Sequence, residues 1–154
     1  LTGNKKDAVN HEEIMPVVMA CISMGKQRVG ALIVMEHNVP LDDVVHTGEI
    51  INADINQRLI ENIFFKNSPL HDGAVILSKG RIKAAGCILP VSHNLDIPKE
   101  LGLRHRAAMG ISQISDAHAI IVSEETGTIS VAYRGQFYLR LNAEELESLL
   151  TQET

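Results

Sequence analysis

Residues 68–74 read Ser-Pro-Leu-His-Asp-Gly-Ala and set a histidine beside an aspartate at the mouth of an apolar run. Asp72 can accept a proton from a hydroxyl or coordinate a cation, and His71 can serve as a metal ligand. Gly73 lets a ligand approach the backbone closely, and Ala74 opens the strand behind it. A second stretch, Leu103-Arg-His-Arg-Ala-Ala-Met109, puts Arg104 and Arg106 at the start of a helical segment. The macrodipole favours negative charge at that end by ~0.3–1 kcal/mol, so cations placed there ask for an anion. Phosphate suits both free N–H groups and a guanidinium fork. A third stretch, Ser123-Glu-Glu-Thr-Gly127, ends an apolar strand with adjacent carboxylates able to hold a divalent ion or a sugar hydroxyl. Singly, each stretch also suits a polar turn or a solvated ion pair. Jointly, acids, a histidine and paired arginines make a metal-plus-phosphate site and point to a nucleotide. His11, His37, His46, His93 and His118 lack ligand spacing and read as surface or hydrogen-bonding groups.

These loops need elements to hold them. Asn10 with Glu13, then Ile14, Val17, Val18, Cys21 and Ile22 at helical spacing, predicts a helix over about 11–25, with Pro16 bending its first turn or marking its start. Val29 to Met35 is a branched apolar run that suits a strand covered on both faces. Asp54 with Gln57 predicts a second helix carrying Ile55, Leu59, Ile60, Ile63 and Phe64, ending before Asn67-Ser68-Pro69. Residues 74–77 and 82–89 read as a hairpin about Lys79-Gly80, residues 104–115 as a helix, and 119–122 with 129–132 as a second hairpin. Phe137 to Leu141 suggests a last strand, and Asn142 with Glu145 caps a terminal helix whose Leu146, Leu149 and Leu150 read as core. The expected fold is a single α/β domain over residues 1–154, a mixed central sheet flanked by helices.

Length and composition agree with one domain: 154 residues, 45% hydrophobic and 21% charged, can bury a core. The formal net charge of −5 argues against a nucleic-acid partner. Charge is unevenly spread, however. Residues 65–110 carry 7 basic and 3 acidic side chains, a local excess of +4 that contains both the His-Asp-Gly and Arg-His-Arg stretches. Cys21 and Cys87 lie in apolar runs and read as buried thiols of a reducing compartment. No apolar run of 18 residues or more occurs, and the first ten residues are polar, so neither a spanning helix nor a signal peptide is expected within these residues.

His71-Asp72-Gly73-Ala74, Arg104-His105-Arg106 and Ser123-Glu124-Glu125-Thr126-Gly127, with Gly30 to Val34 as opening strand, together resemble the diadenylate cyclase domain over about residues 12–150. Within that family the chain is most similar to the membrane-anchored CdaA type, whose cyclase domain follows three transmembrane helices. The resemblance implies condensation of two ATP into cyclic di-AMP with release of two pyrophosphates, at a face-to-face homodimer with Mg²⁺ or Mn²⁺. It implies that Asp72 assists deprotonation of the 3′-hydroxyl, that His71, Asp72, Glu125 and Glu124 hold the metal, and that Arg104 and Arg106 grip the triphosphate with His105 shaping their loop. Ser123 would contact phosphate, Gly73 and Ala74 would pass close to the nucleotide, and Leu89 would line the adenine pocket.

Two positions depart from the family. Leu103 stands where many relatives have Thr, removing a phosphate hydrogen bond of order 0.5–1.5 kcal/mol. Ile88 stands where relatives often carry Tyr, so stacking on adenine is absent there. The resemblance further implies an N-terminal membrane anchor outside these residues, a place on the cytoplasmic side of the bacterial plasma membrane, and regulation by a membrane-associated partner and a sugar-phosphate mutase. A nucleotide sensor or a metal-dependent phosphohydrolase are the competing functions. A sensor needs no base or metal site, and a phosphohydrolase releases orthophosphate where a cyclase releases pyrophosphate.

Overall fold

Apolar runs rich in branched residues occupy the middle of the structure. In the computed structural model, which describes residues 11–90, 97–98 and 101–152, seven strands form one sheet. They are β1 (Ala31–Met35), β2 (Glu49–Asp54), β3 (Ala74–Ser78), β4 (Arg81–Cys87), β5 (His118–Val122), β6 (Ile129–Tyr133) and β7 (Gln136–Tyr138), in the order β2-β4-β3-β1-β5-β6-β7. Only β1 and β3 pair in parallel; every other neighbour is antiparallel. The helices are α1 (His11–Gln27), α2 (Asp42–Val45), α3 (Gln57–Ile63), α4 (Leu103–Ile114) and α5 (Ala143–Thr151). The mixed α/β sheet expected from the sequence is therefore the fold.

The strand period of two divides the core into two layers. Ala31, Ile33 and Met35 of β1 face one layer with Val75, Leu77, Ile120 and Val122, and α1, α3 and α5 cover them through Val17, Val18, Cys21, Ile60, Ile63, Leu146 and Leu150. Leu32 and Val34 face the other layer with Ala74, Ile76, Ala119 and Ile121, covered by Val44 and Val45 of α2 and Ala108 and Ile111 of α4. The central strands β1 and β5 are buried along their whole length, which explains their unbroken apolar sequence.

Three local expectations need correction. The cap of α3 is Asn56, whose side chain accepts the Leu59 N–H at 3.0 Å, because Asp54 still belongs to β2 and pairs with Arg81 at 2.7 Å. β2 itself, an edge strand with a shifted register between Ile50 and Ala53, and the short α2 were not anticipated as elements. Pro16 neither starts nor ends α1, which runs from His11 through it. The expected cap Asn10 and His93 lie outside the described residues.

Candidate active site

The loop before β3 is tied by Ser68. Its carbonyl accepts both the His71 backbone N–H at 3.2 Å and His71 Nδ1 at 2.7 Å, and its hydroxyl oxygen accepts the Leu70 N–H at 3.1 Å. A carbonyl only accepts, so Nδ1 of His71 carries a proton. In the neutral ring that leaves the lone pair on Nε2, which lies 3.3 Å from Asp72 Oδ1. The Asp72 carboxylate is 86% exposed. Gly73 turns the chain with φ +98°, and a Cβ there would lie 2.7 Å from the Cys87 carbonyl oxygen. The glycine therefore lets the loop close onto β4, while its open side lines the cleft described below.

Helix α4 begins without a side-chain cap. Gly102 is its N-cap, and no acid occupies its first turn, so its leading N–H groups keep capacity for an outside acceptor. Leu103 is 83% exposed there. The Arg104 guanidinium lies flat against Gly30, where a Cβ would come within 2.6 Å of Nη1, and it donates to Glu124 Oε1 at 3.3 Å. His105 is buried, with its ring edge to Phe137; burial, and then the neighbouring Arg104 charge, hold its pKa below the ordinary histidine value. At about 100° per residue, Arg106 sits about 200° round the helix from Arg104.

The acidic hairpin is folded around Ser123. Its hydroxyl oxygen accepts the N–H groups of Glu125 and Thr126, both at 3.2 Å, and its carbonyl accepts the Gly127 N–H at 2.9 Å. The hydroxyl proton remains free to donate to a ligand. Gly127 packs backbone to backbone on Gly25 near the end of α1: a Cβ on Gly25 would lie 2.6 Å from the Gly127 carbonyl oxygen. The hairpin is thus set directly on the helix layer.

These three segments meet in one cleft of about 930 Å³. It lies outside the amino ends of the parallel pair β1 and β3 and the carboxyl end of β5, which the register Ala31↔Val122 brings alongside Gly30. Of the residues singled out from sequence, His71, Asp72, Gly73, Leu103, Arg104, His105, Ser123, Glu124 and Glu125 line it. Ala74 is buried in the core behind the loop, Leu89 is 5% exposed in that same layer, and Arg106 is on another side of α4; none of the three lines the cleft. Ile88 is 70% exposed, its N–H donating to Thr47 Oγ1 at 2.8 Å.

Sequence reasoning missed Leu32, Ile121, Thr128, Ser130 and Arg140 in the lining, and Gly30 as the seat of Arg104. Leu32 and Ile121 were legible only as core. Gly30 gave one signal, a glycine at the start of a branched run, but its partner is 74 positions away. Among the described residues no three His, Cys, Asp or Glu side chains stand close enough to form a complete metal cage. The Nε2 lone pair of His71 beside Asp72 nevertheless offers two suitable donors on one side of the cleft, and Glu124 and Glu125 offer carboxylates from the hairpin.

Among the described residues no helix is long and apolar enough to cross a membrane. Comparison with known proteins matches residues 18–137 to the DAC family, described as DisA bacterial checkpoint controller nucleotide-binding. The chain is 43% identical over 152 residues to the cyclic di-AMP synthase CdaA of Bacillus subtilis, covering 99% of this chain and 56% of that protein. It is 42% identical over 151 residues to a diadenylate cyclase of Listeria monocytogenes, covering 98% of this chain and 55% of that one. The chain thus spans about half the length of these relatives. A crystal structure of a double mutant of DacA from Staphylococcus aureus superposes with TM-score 0.89 at 45% identity, over 92% of this chain and 95% of that one. A hypothetical membrane spanning protein from Bacillus cereus gives TM-score 0.81 at 41% identity, over 84% and 64%.

Proposed function

Because the chain belongs to the DAC family of nucleotide-binding domains, we propose that it is the catalytic domain of a diadenylate cyclase, joining two ATP into cyclic di-AMP with release of two pyrophosphates. The observation that carries this reading is the convergence of Asp72, the uncapped start of α4 with Arg104, and the acidic hairpin on one cleft. A carboxylate for a hydroxyl proton and donors for phosphate oxygens are what phosphodiester formation from a ribose hydroxyl requires.

In each half-reaction the 3′-oxygen of one ATP bonds to the α-phosphorus of the other, its proton passes to Asp72, and the bond to the departing pyrophosphate breaks. The Asp72 carboxylate is 86% exposed, so it is open to substrate, and the facing Nε2 lone pair of His71 at 3.3 Å leaves room for a cation between them rather than a hydrogen bond. Arg104 meets phosphate oxygens as a fork, joined by the N–H groups of the first turn of α4 and the Ser123 hydroxyl. From the Arg-His-Arg stretch the proposal uses Arg104 directly and His105 as a neutral packing group, while the helical angle turns Arg106 from the cleft. His71, Asp72, Glu124 and Glu125 are the residues to hold Mg²⁺ or Mn²⁺. Such an ion neutralises phosphate charge and acidifies a hydroxyl.

One set of these motif residues per chain and two equivalent half-reactions call for two chains facing each other across the paired nucleotides. The 83% exposed Leu103 at the rim suits that apposition. For the whole protein the proposal extends to an N-terminal anchor on the cytoplasmic face of the plasma membrane, with a membrane regulator and a sugar-phosphate mutase as partners. The deciding experiment is incubation with ATP and Mn²⁺ or Mg²⁺, followed by mass analysis. Cyclic di-AMP with pyrophosphate supports the reading, while orthophosphate alone, or no product at any protein concentration, refutes it.

A further inference from the structure

The cleft holds a cation that none of the three motif stretches supplies. Arg140 lines it beside Leu139, Thr128 and Ser130, on the wall built by β6 and the end of β7. The next residue anchors that wall, since the Leu141 N–H donates to the Ile129 carbonyl at 2.8 Å. Arg140 itself sits at φ +55°, in the left-handed region that costs a residue with a Cβ about 1–2 kcal/mol. A conformation of this kind persists where surrounding structure enforces it, and it fixes where the Arg140 side chain leaves the backbone.

Its charge is also uncommitted. Arg104 donates to Glu124, whereas no described carboxylate lies within ion-pair distance of Arg140. Arg140 further borders a second hollow of about 350 Å³ shared with Lys26, so positive charge continues from the cleft behind the hairpin. The lining otherwise sets Asp72, Glu124 and Glu125 against Arg104 alone, an excess of negative charge that a triphosphate would deepen. A free guanidinium answers that excess and matches paired phosphate oxygens.

Resting on the cyclase reading of this cleft, we propose that Arg140 binds the β- and γ-phosphates of ATP, the part that departs as pyrophosphate. Calorimetry with 3′-deoxy-ATP, which lacks the attacking hydroxyl, and with AMP, both with Mn²⁺, tests this. Arg140→Ala weakens 3′-deoxy-ATP binding by about tenfold and leaves AMP within about twofold, the loss expected for one charge-assisted contact. Arg140→Lys recovers part of the affinity, and Lys26→Ala, which removes the same charge from outside the cleft, leaves it intact. An unchanged 3′-deoxy-ATP affinity in Arg140→Ala, an equal loss for AMP, or an equal loss in Lys26→Ala overturns the assignment while the cyclase reading stands. If the unaltered chain fails to bind 3′-deoxy-ATP, the cyclase reading falls and takes this assignment with it.

Discussion

Gly30 has no side chain to contribute, yet it decides where Arg104 sits. A methyl group at Gly30 would meet the tip of the guanidinium at 2.6 Å, and a flexible side chain yields before the backbone does. Gly30→Ala is therefore expected to weaken ATP binding by roughly tenfold, as loss of a charged hydrogen-bonding partner does, with little change in melting temperature. Calorimetry paired with thermal unfolding checks it, and equal affinity would show that Arg104 does not meet the nucleotide from this position. Asp72→Asn keeps the shape of the loop but removes the proton acceptor, so turnover drops by about 10²–10⁴-fold while ATP binding largely survives. Single-turnover assays decide this, and near-normal rates would remove Asp72 as the base. His71, Asp72, Arg104 and Glu124 were legible from residue type, because few roles combine acids, a histidine and arginines. Arg140 in the lining was not legible, since nothing near it in sequence marks it, and Arg106 lies about 200° round α4 from Arg104, outside the lining.

Secondary-structure elements carry the loops, and two substitutions weigh what fixes them. Gly73→Ala must hold φ +98° and press a Cβ against the Cys87 carbonyl, costing about 1–3 kcal/mol as strained backbone does. Urea unfolding measures that loss, and a stable variant would mean the β3–β4 contact relaxes freely. At the far end of the chain, Asn142 accepts the Glu145 N–H at 2.8 Å while Glu145 bonds back to the Asn142 N–H at 2.9 Å. Asn142→Ala should cost about 1 kcal/mol, read as a lower melting temperature with activity retained. That capping box was visible in sequence because both partners lie within one turn. The similar pairing of Asp54 with Gln57 misled, because Arg81 from the neighbouring strand holds Asp54 in β2. β2 escaped notice for a related reason: at the sheet edge it is exposed or half-buried throughout, so no apolar alternation marks it. The buried strands β1 and β5 declared themselves as unbroken apolar runs, and the amphipathic helices through their periodicity.

Across the whole molecule, the cleft and a buried histidine occupy opposite ends of β5. His118 is fully buried, stacked on Tyr133, with Nδ1 2.7 Å from His37 Nε2 and no partner for its own Nε2 among the described residues. Burial, then the facing His37, push its pKa down to about 3. The unfolded chain takes up that proton near 6.5, so folding stability is complete above about pH 6.5 and declines toward pH 3 by up to ~1.4 kcal/mol per unit. His105, also depressed, adds to the same slope. Urea melts at pH 7.5 and 5 reveal the decline, and identical midpoints would contradict it. At the other end of the strand, the Arg104–Glu124 pair has a further consequence. It is a weak, half-exposed contact in which each partner occupies the other's binding capacity. Phosphate arriving at Arg104 frees a carboxylate for a cation, and a cation arriving at Glu124 frees a guanidinium for phosphate. Nucleotide and metal are then heterotropic partners, each raising the affinity of the other by the same factor. Mn²⁺ titrations with and without 3′-deoxy-ATP should show this reciprocity, and Glu124→Gln should diminish it.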